Sequence, residues 1–389
     1  MIDAQTILPL TMAVKSPKFT LQPDQILLLK AALFPVQEAL AAWQTWKKIR
    51  GWDQFTPTHI NLLPSLFDPL DGDSQRLMPL VYRNLEKSGD PLVVHLRGIY
   101  RYTWMSNQRF VLKMSQVIEV LHQNGIDTIA LKGIPLSLLY YEDMGVRLMY
   151  DLDVLIPTAQ ADLAIQTLQQ PPLALKSSRF ESKHRHILHA MHLWDANNVD
   201  VDLHWNLLHQ HTYPNADVPF WQARQPVRLS NDQFTHALSP THQLFHNLVH
   251  GFDWGETPAI RWIADSYVIY TKPGLSIDWH TLLDLAEQYR VTYPVWQALH
   301  VLTSEFKLAL PPDVEQRLTT LPISTAETTY FALLRKRSPN QAIKAVRYVQ
   351  KNWLAYRLFR QGKSDLSMSR WMYRQVRLRL DWPKRDLPF

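Results

Sequence analysis

The 389-residue sequence contains no cysteine, which excludes a disulfide framework and thiolate catalysis and is compatible with a reducing compartment. No apolar run approaches the roughly 18–20 residues of a membrane span. The first residues, Met1-Ile2-Asp3-Ala4-Gln5, lack the positive charge that opens a secretory signal, so the expectation is a soluble cytoplasmic protein. Internal repeats and low-complexity runs are also missing. What remains is a globular composition, with 46% hydrophobic and 20% charged residues, in a chain long enough for two or three domains. Negative charge is scarce at one end. From Arg335 to Phe389 there are 15 Lys or Arg against three Asp, so the net +6 of the chain resides in a tail of +12. Such asymmetry points to nucleic acid, an acidic partner or a polyanionic cofactor.

The chemistry-bearing residues gather between Leu131 and Pro157. Leu131-Lys132-Gly133 reads as a strand end and turn, the apolar stretch through Tyr140-Tyr141 as a helix, and Asp151-Leu152-Asp153-Val154-Leu155-Ile156 as a strand. Residues two apart on a strand share a face, roughly 6.5–7 Å apart, so Asp151 and Asp153 aim carboxylates into one small volume. That volume suits hard divalent cations. Mg²⁺ takes oxygen ligands, and a pair of such ions clamps the attacking and leaving oxygens of phosphoryl or nucleotidyl transfer. Gly133 would let the backbone approach a phosphate, while Lys132 and Arg147 would neutralise a triphosphate.

The run L-K-G, Y-Y, R-x-x-x-D-x-D resembles the uncharacterised nucleotidyltransferase family, a bacterial branch of the polymerase-beta-like nucleotidyltransferase superfamily. Val199-Asp200-Val201-Asp202-Leu203-His204-Trp205 resembles the family's acidic-Leu-His-Trp segment, with Asp202 in the acidic place. Leu77–Leu85 and Arg261–Asp265 are also similar to family segments, so the resemblance covers roughly residues 25 to 270. Lys132-Gly133 stands where the superfamily usually has Gly-Ser or Gly-Gly, and Asp151 follows Gly133 by 18 positions; both features match the branch. The resemblance implies an enzyme that uses two Mg²⁺ ions, held by Asp151, Asp153 and Asp202, to move a nucleoside monophosphate from an NTP, expected to be ATP, to a hydroxyl. Asp200 is the alternative third carboxylate. His204 would orient that carboxylate, touch the acceptor, or simply be a satisfied histidine at a strand end. The acceptor, a small molecule or a peptide or protein side chain, is not implied.

The elements around this core read as α+β: a small mixed-sheet nucleotidyltransferase core flanked by N-terminal and C-terminal helical regions, with boundaries at 1–124, 125–230 and 231–389. Helices are expected over 22–51 with a break near Pro35, 59–66, 75–86 and 91–124, and Trp43, Trp46, Trp52 and Trp104 read as packing residues. Core strands are expected over 126–131, 150–156, 173–180, 186–194 and 199–205, with an amphipathic helix over 158–169 capped by Thr158. Two histidine sets, His184, His186, His189 and His192, and His242, His246 and His250, have spacings that invite zinc. The first has mixed strand parity and the second flanks an apolar stripe, so strand or helix packing, or an acceptor-pocket lining, is the favoured role. The basic tail interleaves cations with Tyr348, Trp353, Tyr356, Phe359, Trp371, Tyr373 and Trp382. That mixture suits nucleic-acid binding, or helices that bury an aromatic face and expose their cations; a membrane surface is the weaker third fit.

Overall fold

The computed structural model describes residues 7–8, 20–53, 70–177, 185–195, 200–230, 233–252, 259–335, 340–360, 362–363 and 366–381. Nine strands are present among them: β1 (Ile7–Leu8), β2 (Ile129–Ala130), β3 (Asp151–Leu155), β4 (Lys176–Ser177), β5 (Ala190–Trp194), β6 (Asp200–His204), β7 (Gln225–Ser230), β8 (Gln233–Ala237) and β9 (Ile323–Ser324). β1 pairs with β9, and the other seven form one mixed sheet in the order β4-β5-β6-β3-β2-β8-β7. At its centre β3 and β6 run parallel, with Asp151 opposite Asp200, Asp153 opposite Asp202 and Leu155 opposite His204. β5 lies antiparallel to β6 and sets His192 opposite Asp202.

Alternation explains why this register holds. Leu152, Val154, Val201, Leu203, Met191 and Leu193 occupy one face and are buried. A slip of one residue would drive the carboxylates into that core. The face is covered from behind by a long helix. Among the described residues four helices precede the sheet, α1 (Pro23–Leu33), α2 (Val36–Ile49), α3 (Gly72–Leu85) and α4 (Pro91–Gln123), and α4 packs against β3, β7, β8 and α5 (Ala161–Gln169). Asp90 caps α4 by accepting from the amides of Leu92 and Val93, and Pro91 fits the first helical position, where no amide is needed. Gly125, at φ 70°, turns the chain out of the helix toward β2.

Several details depart from the sequence reading. Thr158 does not cap a helix: its hydroxyl donates to Trp205 O at 2.6 Å, tying the end of β3 to the end of β6. The expected helix over Pro135–Tyr141 is one helical turn, Gly133–Pro135, that widens into a π-helical stretch, Leu136–Tyr141. Beyond Trp205, Val218–Gln222 is a short helix, α6, before β7, and the sheet takes a further strand, β8, from beyond residue 230. Trp43, Trp46 and Trp52 are buried and pack ring on ring, whereas Trp104 is 47% exposed on α4. The helix expected over 59–66 lies outside the described residues.

The C-terminal helices are α7 (Pro240–Phe252), α8 (Arg261–Thr271), α9 (Trp279–Gln288), α10 (Thr292–Phe306), α11 (Pro312–Thr320), α12 (Thr325–Arg335), α13 (Gln341–Ala355) and α14 (Met368–Asp381). α7 and α8 matter most for the site. α7 packs on α8, α9 and α10, and α8 packs on the Leu136–Tyr141 stretch.

Candidate active site

The polar face of β3 and β6 gathers the acidic residues. Oxygen atoms of Asp153 and Asp202 and a ring nitrogen of His204 lie within 4.8 Å of one another, the group among the described residues whose spacing suits a metal ion. Asp153 is 3% exposed. Its Oδ1 accepts from Lys132 Nζ at 2.5 Å and from His204 Nε2 at 3.1 Å. A carboxylate only accepts, so His204 carries its proton on Nε2, and its buried Nδ1 has no partner among the described residues. Burial pushes the Asp153 carboxyl up, but Lys132 and His204 outweigh it and hold the group well below the usual carboxylate range. Both contacts fall on Oδ1, which leaves Oδ2 for a cation. Asp151 is pushed up to about 6, first by the charge of Asp153 and then by burial. Asp202 is more open, with His192 Nδ1 at 2.9 Å from its Oδ1, a contact that raises the histidine. An oxygen-rich set with one orienting imidazole fits a hard divalent cation better than zinc.

Lys132 reaches Asp153 from an unusual backbone, φ 48° and ψ −106°, a conformation that costs a non-glycine residue roughly 1–3 kcal/mol and that clusters at functional sites. Gly133 follows under tight cover. A Cβ there would lie 2.6 Å from Met149 Sδ and 3.3 Å from Arg147 Nη1. Arg147 therefore stands beside the turn, but its main partner is another. It donates from Nε and Nη2 to the two oxygens of Asp265 at 2.9 and 3.0 Å, both side chains being buried, and Tyr141 donates to the same carboxylate at 2.9 Å. Asn107 of α4 locks the loop that leads into β3, donating to Met144 O and Arg147 O and accepting from Met149 N.

The model of a family described as uncharacterised nucleotidyltransferase matches residues 73–307, more than half of the chain and all of the residues just described. The chain belongs to that family. The crystal structure of an antigenic nucleotidyltransferase-like protein from Paracoccidioides brasiliensis is similar, with 18% identity over 57% of this chain and 95% of that one and a TM-score of 0.33. No curated protein matches the chain. The family's span takes in two residues given no role from the sequence. Asp265 anchors Arg147, and Arg261, a half-buried cation whose Nη1 donates to Leu148 O, is one of the charges acting on Asp151. The Arg261–Asp265 run was visible as a family-like segment; its partners, more than 100 residues away, were not.

The histidine sets do not converge as metal ligands among the described residues. His192 lies on the polar face, His189 packs edge-on against His204 and tilted against His209, and the His186 carbonyl accepts from Arg360; His184 is outside the described residues. His242 Nδ1 is engaged by Ser239 Oγ at 2.7 Å. In the tail, Phe359 and Trp371 are buried and Tyr348 and Tyr356 bond to backbone carbonyls. Trp353 and Tyr373 face outward, and Trp382 is outside the described residues.

Proposed function

We propose that the protein is a Mg²⁺-dependent nucleotidyltransferase that moves a nucleoside monophosphate from an NTP, with ATP the expected donor, to an acceptor hydroxyl and releases pyrophosphate. The observation that supports this reading is the parallel register that sets Asp153 opposite Asp202 on one polar face, beside a strained Lys132 turn. Asp151, Asp153 and Asp202 hold the cations, and Asp202 is preferred to Asp200 because only Asp202 joins the cluster with Asp153 and His204. Two bound divalent ions would hold the phosphates and lower the pKa of the acceptor hydroxyl. The residues do the rest by positioning. Lys132 fixes Asp153 and lends positive charge, Gly133 gives the turn the room that Met149 and Arg147 fill, Arg147 braces the turn, and His204 orients Asp153. As the hydroxyl oxygen bonds to the α-phosphorus, the bond to pyrophosphate breaks and the hydroxyl proton passes to Asp202. No described helix is long and apolar enough to cross a membrane, and a cytoplasmic setting belongs to this reading. The test is incubation with each labelled NTP, Mg²⁺ and a cell extract. Label transfer with pyrophosphate release, lost in Asp153→Ala, supports the reading, and no transfer with any NTP counts against it.

A second reading makes the core a scaffold and the basic tail a nucleic-acid surface. Exposed Trp353, with Arg357 over its ring at 4.9 Å, and exposed Tyr373 favour it. Most of the tail's other aromatic residues are occupied by packing. A steep loss of RNA affinity with salt in a variant with both Asp151 and Asp153 replaced by Asn would support it.

A further inference from the structure

Helix α7 is buried nearly all round, yet one side of it is polar. Gln243, His246, Asn247 and His250 recur at i, i+3, i+4 and i+7, an arc of about 100°, while Leu244, Phe245, Leu248, Val249 and Phe252 fill the opposite side. The charges of Lys132, Asp153 and His204 act on both His246 and His250, so these two histidines lie near the carboxylate site. Asn247 is engaged structurally, donating to Trp262 O and Ser266 Oγ at 3.1 Å each. Gln243 and His246 are different. Gln243 is fully buried, and neither its Oε1 nor its Nε2 has a partner among the described residues; His246 is 2% exposed and its Nδ1 is likewise without one. Buried polar atoms are satisfied almost everywhere in proteins, and these two side chains on one stripe have hydrogen bonds to offer a ligand.

The ligand's chemistry follows from theirs. Burial lowers His246 to about 3, so its ring is neutral, and Gln243 is neutral as well. Neither brings a positive charge to a phosphate. A primary amide offers a donor and an acceptor side by side, the complement of a nucleobase edge. Gln243 lies one turn beyond His246, about 4.5 Å along the axis at 1.5 Å per residue. That is the arrangement expected if phosphates rest near Lys132 and the nucleoside extends along α7.

We propose that Gln243 and His246 form the subsite for the nucleoside of the donor nucleotide, Gln243 pairing with the base edge and His246 with the ribose or base. This rests on the nucleotidyltransferase reading, and the test separates the two. Calorimetry would compare Mg²⁺-tripolyphosphate with the four Mg²⁺-NTPs on the wild type, Gln243→Leu and His246→Gln. The expected result is that the wild type binds at least one NTP about tenfold or more tighter than tripolyphosphate. Gln243→Leu then loses most of that advantage, His246→Gln part of it, and tripolyphosphate affinity stays unchanged in both. If both variants keep the wild-type preference, the subsite is overturned while the enzyme reading stands. If the wild type binds neither tripolyphosphate nor any NTP, both fall. Should Gln243→Leu not fold, His246→Gln carries the comparison, together with the imidazole ¹⁵N resonances of the wild type. The His246 Nδ1 signal should shift on adding the preferred NTP and stay still with tripolyphosphate, and a signal indifferent to NTP overturns the proposal.

Discussion

Asp153 and Asp202 face each other across one ladder, but their surroundings differ, and so should the effects of replacing them. Asp202 is half-buried beside a half-buried histidine, so Asp202→Asn should abolish nucleotidyl transfer with little change in melting temperature. Asp153 also pairs with Lys132, whose side chain is 20% exposed, and Asp153→Asn removes that pair; it should lose transfer and about 3 kcal/mol of stability, the low end of the ~3–5 kcal/mol penalty for breaking a buried pair. Turnover and thermal melts on the same preparations check both. The carboxylates were legible in the sequence because strand alternation is a local signal: Asp151 and Asp153, then Asp200 and Asp202, flank apolar residues in strict period two. Arg147 was only half legible. Its place near the turn follows from sequence proximity, but its bidentate partner, Asp265, lies 118 residues on, and an ion pair over that separation leaves no local pattern. Asp265→Asn should leave Arg147 buried without its counter-charge and destabilise the protein by a similar 3–5 kcal/mol, which urea unfolding would measure.

At the scale of elements, the turn from β2 into the helical stretch is under tight steric constraint. Gly133→Ala would drive its Cβ into Met149, itself buried, so the expected result is weaker Mg²⁺-NTP binding and a lower melting temperature. Trimming the obstruction should help. Gly133→Ala with Met149→Ala should recover part of the binding lost in Gly133→Ala alone, and a double variant worse than the sum of the single ones would contradict the steric account. The expected elements match where apolar periodicity is strong, as in α4, and fail where inward residues are small or polar. β8 shows why: its buried positions are Thr235 and Ala237 while Phe234 points out, so its pattern is the reverse of an amphipathic strand. Thr158 misled for a related reason, since a threonine before a helix is as ready to bond a distant carbonyl as to cap.

Over the whole molecule, the charge asymmetry has a structural expression. Arg360 is 2% exposed and donates to His186 O and Thr212 O, so the described part of the basic tail is fastened to the sheet's flank there. Nothing in a run of cations tells which one is buried, which is why the tail's anchorage was not legible. A buried carboxyl adds a pH dependence. Glu327 accepts from Tyr293 N, and burial pushes it up to about 8 against an ordinary value near 4.5. The folded state therefore holds that proton more tightly than the unfolded one. Its contribution is complete below about pH 4.5 and is lost as pH rises toward 8, so this group should lower the melting temperature across that window. Glu327→Gln should flatten that slope, as thermal melts at pH 5, 6, 7 and 8 would show.

The claim on which the functional account turns is that Asp151, Asp153 and Asp202 hold divalent cations that receive the phosphates of an NTP. Mn²⁺ titration followed by electron paramagnetic resonance, with and without ATP, tests it most directly. The account predicts Mn²⁺ binding that tightens when ATP is added and is lost in Asp153→Ala and Asp202→Asn. Mn²⁺ binding equal in the wild type and both variants, and indifferent to every NTP, would contradict it.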